Sequence, residues 1–189
     1  MKFHFKESYK TPYFSIEEGL DPDNVVAPYY RLTTDESVIC CVMNYDGEFI
    51  MVEQYRPNID AITLELPAGS IKSDELPIIA ANREFEEETG MTCDFLPLGN
   101  FHLMMNRVNS LEHIYFGFDP QTKEGHKPEE GVKVKRILRS ELVKLSINGG
   151  YKQIAGLGVI QMASSILEID ILTSNLKEIS KKFKSRIGF

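Results

Sequence analysis

The sequence predicts a mixed α/β fold organised around one main domain, and three observations carry that reading. β-rich runs flank Asn44-Tyr45-Asp46-Gly47, a strong hairpin signal. An apolar helical period runs from Ile78 to Thr89 and stops at Gly90. Two further helical segments follow the last strand-like run. At 189 residues the chain can bury one sizeable core and carry an added subdomain.

The elements follow in order. Lys2 to Phe5, Pro12 to Ile16 and Tyr29 to Leu32 are aromatic-rich and read as strands of a small antiparallel β-sheet, with Asp21-Pro22-Asp23-Asn24 as a turn. Residues 1–36 form an N-terminal β subdomain on this reading, and 37–189 the main domain. Ser37 to Met43 and Phe49 to Gln54 are the hairpin strands. Ala61 to Leu66 is a further strand that runs straight into Pro67-Ala68-Gly69. Cys93 to Phe101, His113 to Phe118 and Val132 to Leu138 are strand-like. Ser140 to Ile147, closed by Asn148-Gly149-Gly150, and Lys152 to about Ile169 are helical. The remainder, with Lys181, Lys182, Lys184 and Arg186, is a basic tail that reads as a solvated helix end rather than a binding patch.

Composition narrows the classes. Apolar content of 42% and charged content of 26% are those of a globular protein in water. A net charge of −7 is unsuited to gripping nucleic acid by bulk charge. No apolar run reaches a membrane span and no secretory signal opens the chain. Cys40, Cys41 and Cys93 have no metal-ligand spacing, and they read as reduced core residues of a cytoplasmic protein.

The chemistry sits between Gly69 and Met91. That stretch has the pattern G-x5-E-x7-R-E-U-x-E-E-x-G-U, with U a bulky apolar residue. Gly69, Glu75, Arg83, Glu84, Phe85, Glu87, Glu88, Gly90 and Met91 fill every specified place. At about 100° per residue, Glu84, Glu87 and Glu88 share one helix face, while Ile78, Ala81 and Phe85 gather on a neighbouring one. Ser73 or Asp74 is the expected cap, and Pro77 suits the first turn. Carboxylates crowded late in a helix oppose its dipole and repel one another. A hard cation removes that cost, and oxygen-only ligands favour magnesium or manganese over zinc.

The pattern is identified as a Nudix box, and the chain resembles Nudix hydrolases. With Glu53-Gln54-Tyr55-Arg56 and Glu65-Leu66-Pro67-Ala68-Gly69 upstream, it is similar to the ADP-ribose and nucleoside diphosphate sugar pyrophosphatase branch. The resemblance implies an α/β/α sandwich preceded by a small N-terminal sheet that takes part in a homodimer. It implies Mg²⁺, with Mn²⁺ as the alternative, held by Glu84, Glu88, Glu87 and the carbonyl of Ala68. Arg83 would orient a glutamate by a paired hydrogen bond, and Arg56 would hold diphosphate beside Glu65. Glu75 would have a structural role.

The branch often uses a general base outside the box, on a mobile loop. Thr122 to Gly131 is such a polar loop, with Glu129 and Glu130 as candidates and Glu112, next to His113, as the second region. The resemblance departs at one place. Leu98-Gly99-Asn100-Phe101-His102-Leu103-Met104-Met105-Asn106-Arg107 lacks the Pro-Gly pair and the later proline that accompany ADP-ribose selectivity. Met104, Met105 and Arg107 stay open between pocket lining and ordinary core and surface positions. The expected activity is hydrolysis of a nucleoside diphosphate sugar or ADP-ribose-like compound. Alternatives are another nucleoside diphosphate derivative, such as a dinucleoside polyphosphate or coenzyme, and a non-catalytic nucleotide-sugar-binding regulator.

Overall fold

A run of six apolar residues in seven, Ser37–Met43, is buried on both faces and sets the centre of the molecule. A computed structural model describes residues 3–23, 27–125 and 128–188. The strands are β1 (His4–Lys10), β2 (Phe14–Leu20), β3 (Tyr29–Thr34), β4 (Ser37–Met43), β5 (Glu48–Arg56), β6 (Ala61–Glu65), β7 (Ala68–Ser70), β8 (Met91–Thr92), β9 (Phe95–Phe101), β10 (Val108–Asn109), β11 (Glu112–Phe118), β12 (Gln121–Thr122) and β13 (Lys133–Leu138). The helices are α1 (Pro77–Thr89), α2 (Arg139–Asn148), α3 (Ile154–Leu167) and α4 (Leu176–Ile187).

The central sheet runs β13-β5-β4-β11-β9, with β6 on β5 and β7 on β4. Alternation along β4 distributes its side chains between two cores. Val38, Cys40 and Val42 pack with Ala80, Ala81 and Phe85 of α1. Ile39, Cys41 and Met43 face Ile160 and Leu167 of α3 and Ile179 and Phe183 of α4. The result is a helix–sheet–helix sandwich, an α/β fold. The β4–β5 turn closes as its residues demand: Gly47 adopts φ 75°, and Asn44 N donates to Glu48 O at 3.0 Å.

A second sheet runs β1-β2-β3-β10. Strand β10 joins parallel to β3, so residues 108–109 complete a sheet begun before residue 36. The expected strands at 2–5 and 12–16 are longer and shifted towards the C-terminus, because register follows the β1–β2 pairing of His4 with Leu20. Lys2 and Asn24 lie outside the described residues. At the turn, Asp23 N donates to Asp21 Oδ1 at 3.2 Å.

One further expectation is corrected. Neither Ser73 nor Asp74 caps α1; Leu76 is the cap residue and offers no side-chain acceptor. Residues 72–75 are spent on a turn, with Glu75 N on Lys72 O at 3.0 Å. Helix α1 therefore starts at Pro77, which has no N–H to satisfy. The basic tail is an amphipathic helix. Ile179 and Phe183 of α4 are buried one turn apart, and the Phe183 ring meets Phe116 edge-on at 5.7 Å. Its lysines occupy the other face, which is why charge alone hides the apolar stripe. Among the described residues no helix is long and apolar enough to cross a membrane.

Candidate active site

Helix α1 is fixed from below. Ala80, Ala81 and Phe85 are fully buried against the sheet, and Phe95 contacts Phe85 edge-on at 5.7 Å. That anchorage sets the rotation of the helix and puts Glu84, Glu87 and Glu88 along one side. Gly90 ends the helix at φ 70°, with its N–H on Glu86 O at 2.8 Å.

Arg83 ties the box together. Its Nε and Nη2 donate to the two oxygens of Glu75, each at 2.8 Å. Nη1 reaches Glu84 at 2.6 Å and Glu87 at 3.1 Å. Nη2 also donates to Ser70 O at 3.0 Å. These five bonds use all five guanidinium donors. The Arg83 fork and the Lys72 N–H pull the Glu75 carboxyl down to about 2, and the same carboxylates hold the guanidinium well above its ordinary value. Gly69 belongs to this assembly for a steric reason. A methyl there would lie 2.1 Å from the carboxyl carbon of Glu84 and would push that carboxylate from the place where Arg83 holds it.

Glu88 differs from its neighbours. It is 5% exposed and accepts from Ala68 N at 3.0 Å, but no cationic side chain among the described residues pairs with it. Burial pushes its carboxyl up to about 8; the Ala68 N–H opposes that rise, while Glu84 and Glu129 add to it. The Ala68 contact also brings the β6–β7 corner, and with it the Ala68 backbone, to the carboxylate face.

On the other side of that corner, Arg56 and Glu65 form a bidentate pair, Nε to Oε1 at 2.7 Å and Nη2 to Oε2 at 2.6 Å. Thr63 Oγ1 donates to Glu65 Oε1 at 2.6 Å. Burial pushes the Glu65 carboxyl up, but the bonds from Arg56 and Thr63 win and hold it below the usual range. Arg56 remains 40% exposed, and its charge is felt at Glu88. The two residues line a cavity of about 470 Å³ with the turn after α2, including Lys152 and Gln153. A further cavity of about 680 Å³ lies between α2 and α3 and is lined by no box residue.

The candidate bases separate. Glu129 N donates to Glu87 O at 2.9 Å, which lays the loop across the end of α1. No contact brings the exposed Glu130 to the box among the described residues; His126 and Lys127 of the same loop lie outside them. Glu112 accepts from Ser37 Oγ, and His113 Nε2 pairs with Glu36 at 2.6 Å, so both are engaged at the edge of the sheet. Met104 and Met105 are exposed, and Arg107 stacks over Tyr29 at 5.2 Å beside the N-terminal sheet. That segment does not meet the box residues among the described contacts.

Residues 33–154 match the family described as NUDIX domain. The chain belongs to the Nudix family. It is 32% identical over 89 residues to a methanol dehydrogenase activator of Bacillus methanolicus, covering 47% of this chain and 48% of that protein. It is 29% identical over 104 residues to an ADP-ribose pyrophosphatase of Bacillus subtilis (strain 168), covering 53% and 56%. It is 54% identical over 41 residues to an ADP-sugar pyrophosphatase of Mus musculus, covering 22% and 19%. The chain thus spans about half the length of the first two relatives and a fifth of the third. An ADP compounds hydrolase of known crystal structure superposes with a TM-score of 0.74 over 89% of this chain and 95% of the other, at 19% identity, a likeness of fold.

Nudix hydrolases generally use divalent metal ions. As the side chains stand, no three His, Cys, Asp or Glu groups among the described residues converge to hold one. Arg83 engages both Glu84 and Glu87. The donor set nonetheless fits a hard cation. Every donor is an oxygen. Glu88 is a buried carboxylate with no paired cationic side chain among the described residues, and the glycine at position 69 keeps clear the space that Glu84 fills.

Sequence reasoning missed Tyr151 and Gln153. Gln153 Oε1 accepts from Leu66 N at 3.0 Å and Tyr151 Oη at 3.1 Å, which braces the β6–β7 corner from across the fold. Tyr151 is buried and Gly156 leaves room for its hydroxyl. The Gly149-Gly150 turn was the available signal, since it delivers both residues to that corner.

Proposed function

We propose that the chain is a Nudix pyrophosphatase that hydrolyses the diphosphate bond of a nucleoside diphosphate sugar or ADP-ribose-like compound, releasing a nucleoside monophosphate and a sugar phosphate. The observation that carries this reading is the convergence of a buried, unpaired Glu88 with the half-exposed Arg56 at the β6–β7 corner. Similarity to proteins described as ADP-ribose and ADP-sugar pyrophosphatases supports the substrate class.

Glu84, Glu87, Glu88 and the Ala68 carbonyl would hold Mg²⁺, with Mn²⁺ as the alternative. Bound there, the cation neutralises phosphate oxygens and lowers the pKa of water. Arg83 keeps Glu84 and Glu87 aligned and does not touch substrate, since its donors are spent. Arg56 has used two of its five donors and offers the rest to the diphosphate. Glu129 takes the proton of the attacking water as its oxygen bonds to phosphorus and the bridging P–O bond breaks. Strands β1 to β3 and the β1–β2 turn, which expose Tyr9, Tyr13, Leu20 and Tyr30, contribute to a homodimer in this proposal.

The test is a panel of nucleotide sugars, ADP-ribose and dinucleoside polyphosphates, assayed with Mg²⁺ by release of monophosphate. Best turnover on a sugar-linked diphosphate, abolished by chelator, is the expected result. Best turnover on dinucleoside polyphosphates, or full turnover in chelator, would overturn it.

A further inference from the structure

The cavity beside Arg56 has an uneven inventory of hydrogen-bonding groups. The acceptors of Glu65 and Gln153 are engaged. Glu65 already takes two bonds from Arg56 and one from Thr63. Gln153 Oε1 takes two, from Leu66 N and Tyr151 Oη. Those two donors also fix which end of the Gln153 amide is the oxygen, because a backbone N–H needs an acceptor. The donors of Gln153 and Lys152 are not committed. The three unspent donors of Arg56 go to the diphosphate on the reading above, while both on Gln153 Nε2 and all of those on Lys152 have no partner among the described residues. Exposed Asn58 can serve either way.

Charge leans in the same direction. Arg56 and Glu65 cancel, which leaves the Lys152 ammonium as the net charge of the lining. Ile59, Ile62 and Leu64 supply an apolar wall. At about 470 Å³ the space is sufficient for a sugar ring. A neutral sugar brings hydroxyl donors that find few free acceptors here. A carboxylate or phosphate brings acceptors only, and these match the unpartnered donors of Lys152 and Gln153.

We infer that this cavity is a second anion subsite, selecting nucleoside diphosphate sugars whose sugar carries a further acidic group, either a carboxylate or a phosphate. The inference rests on the reading of Arg56 as the diphosphate contact, and it adds Lys152 and Gln153 as specificity residues. Gln153 is oriented for this role by Tyr151, whose hydroxyl occupies the room left by Gly156.

Two measurements test it. Calorimetry compares glucuronate 1-phosphate with glucose 1-phosphate in the absence of divalent metal. The uronate should bind at least about tenfold more tightly, as an added charge-assisted contact implies. In Lys152→Met, and in Gln153→Glu, which keeps the acceptor for Leu66 N and removes the donors, that ratio should collapse towards one. Equal affinities, no measurable binding of either ligand, or a ratio that survives both substitutions overturns the inference. Hydrolysis of UDP-glucuronate and UDP-glucose with Mg²⁺ is then followed, and the preference should lie in KM rather than kcat. Preferential uronate binding without hydrolysis of either nucleotide leaves the subsite standing and removes the pyrophosphatase reading. Hydrolysis of both without preference does the reverse.

Discussion

Arg83 and Arg56 flank the same carboxylate face but spend their hydrogen bonds in opposite ways. Arg83 gives all five donors to Glu75, Glu84, Glu87 and the Ser70 carbonyl. Arg56 gives two, both to Glu65, and stays half-exposed beside a cavity. In the proposed function, the difference separates an arginine that builds the site from one that would read the ligand. Unspent donors on a held guanidinium are available to a ligand; saturated donors are not.

The largest expected effect concerns the carboxylate between them. Glu88→Gln keeps the side-chain size and the acceptor for Ala68 N, but removes the charge. Turnover should fall by roughly 10³-fold or more while the fold survives. Steady-state kinetics with circular dichroism checks both halves, and near-normal turnover would break the account.

Next is the base. Glu129→Gln should lower kcat by roughly 10² to 10⁴ with little change in KM, whereas Glu130→Gln should be close to wild type. Kinetics on both single variants decides between them. If both retain wild-type kcat, Glu112 becomes the candidate.

The smallest effect sharpens the Arg83 side of the comparison. Glu75 is held down to about 2 by Arg83 and the Lys72 N–H, against an ordinary value of 4.5. A depressed carboxyl stabilises the fold above pH 4.5 and loses that contribution as pH falls through about 2. Glu75→Gln should therefore melt below wild type at neutral pH, with the gap closing from pH 4.5 downwards. A gap that is constant across this window would show that the pair contributes through packing and not charge.

How much of this was legible depends on how local each feature is. The box helix was readable because Glu84, Glu87 and Glu88 acquire their shared face from helical spacing alone. The β4–β5 hairpin was readable because Asn44 and Gly47 encode their own turn. Glu129 and Glu130 could not be told apart, since the loop's course depends on a backbone bond to Glu87 across the fold. The brace from Gln153 to Leu66 spans 87 positions and has no local pattern. Helix α4 was hidden by its lysines, although Leu176, Ile179, Phe183 and Ile187 keep helical spacing.

The contrast between the arginines is tested most directly by Arg83→Lys and Arg56→Lys, compared for melting temperature and kcat/KM on one nucleotide sugar. Both substitutions keep the charge and remove the fork. Arg83→Lys should cost about 2 kcal/mol, or roughly 4–8 °C in Tm, because several charged hydrogen bonds in a mostly buried network are lost. Arg56→Lys should hold Tm within about 2 °C, with the ammonium still paired to Glu65, while kcat/KM falls by about 10²-fold. An Arg56→Lys protein with wild-type kcat/KM, or an Arg83→Lys protein with wild-type Tm, would contradict the account.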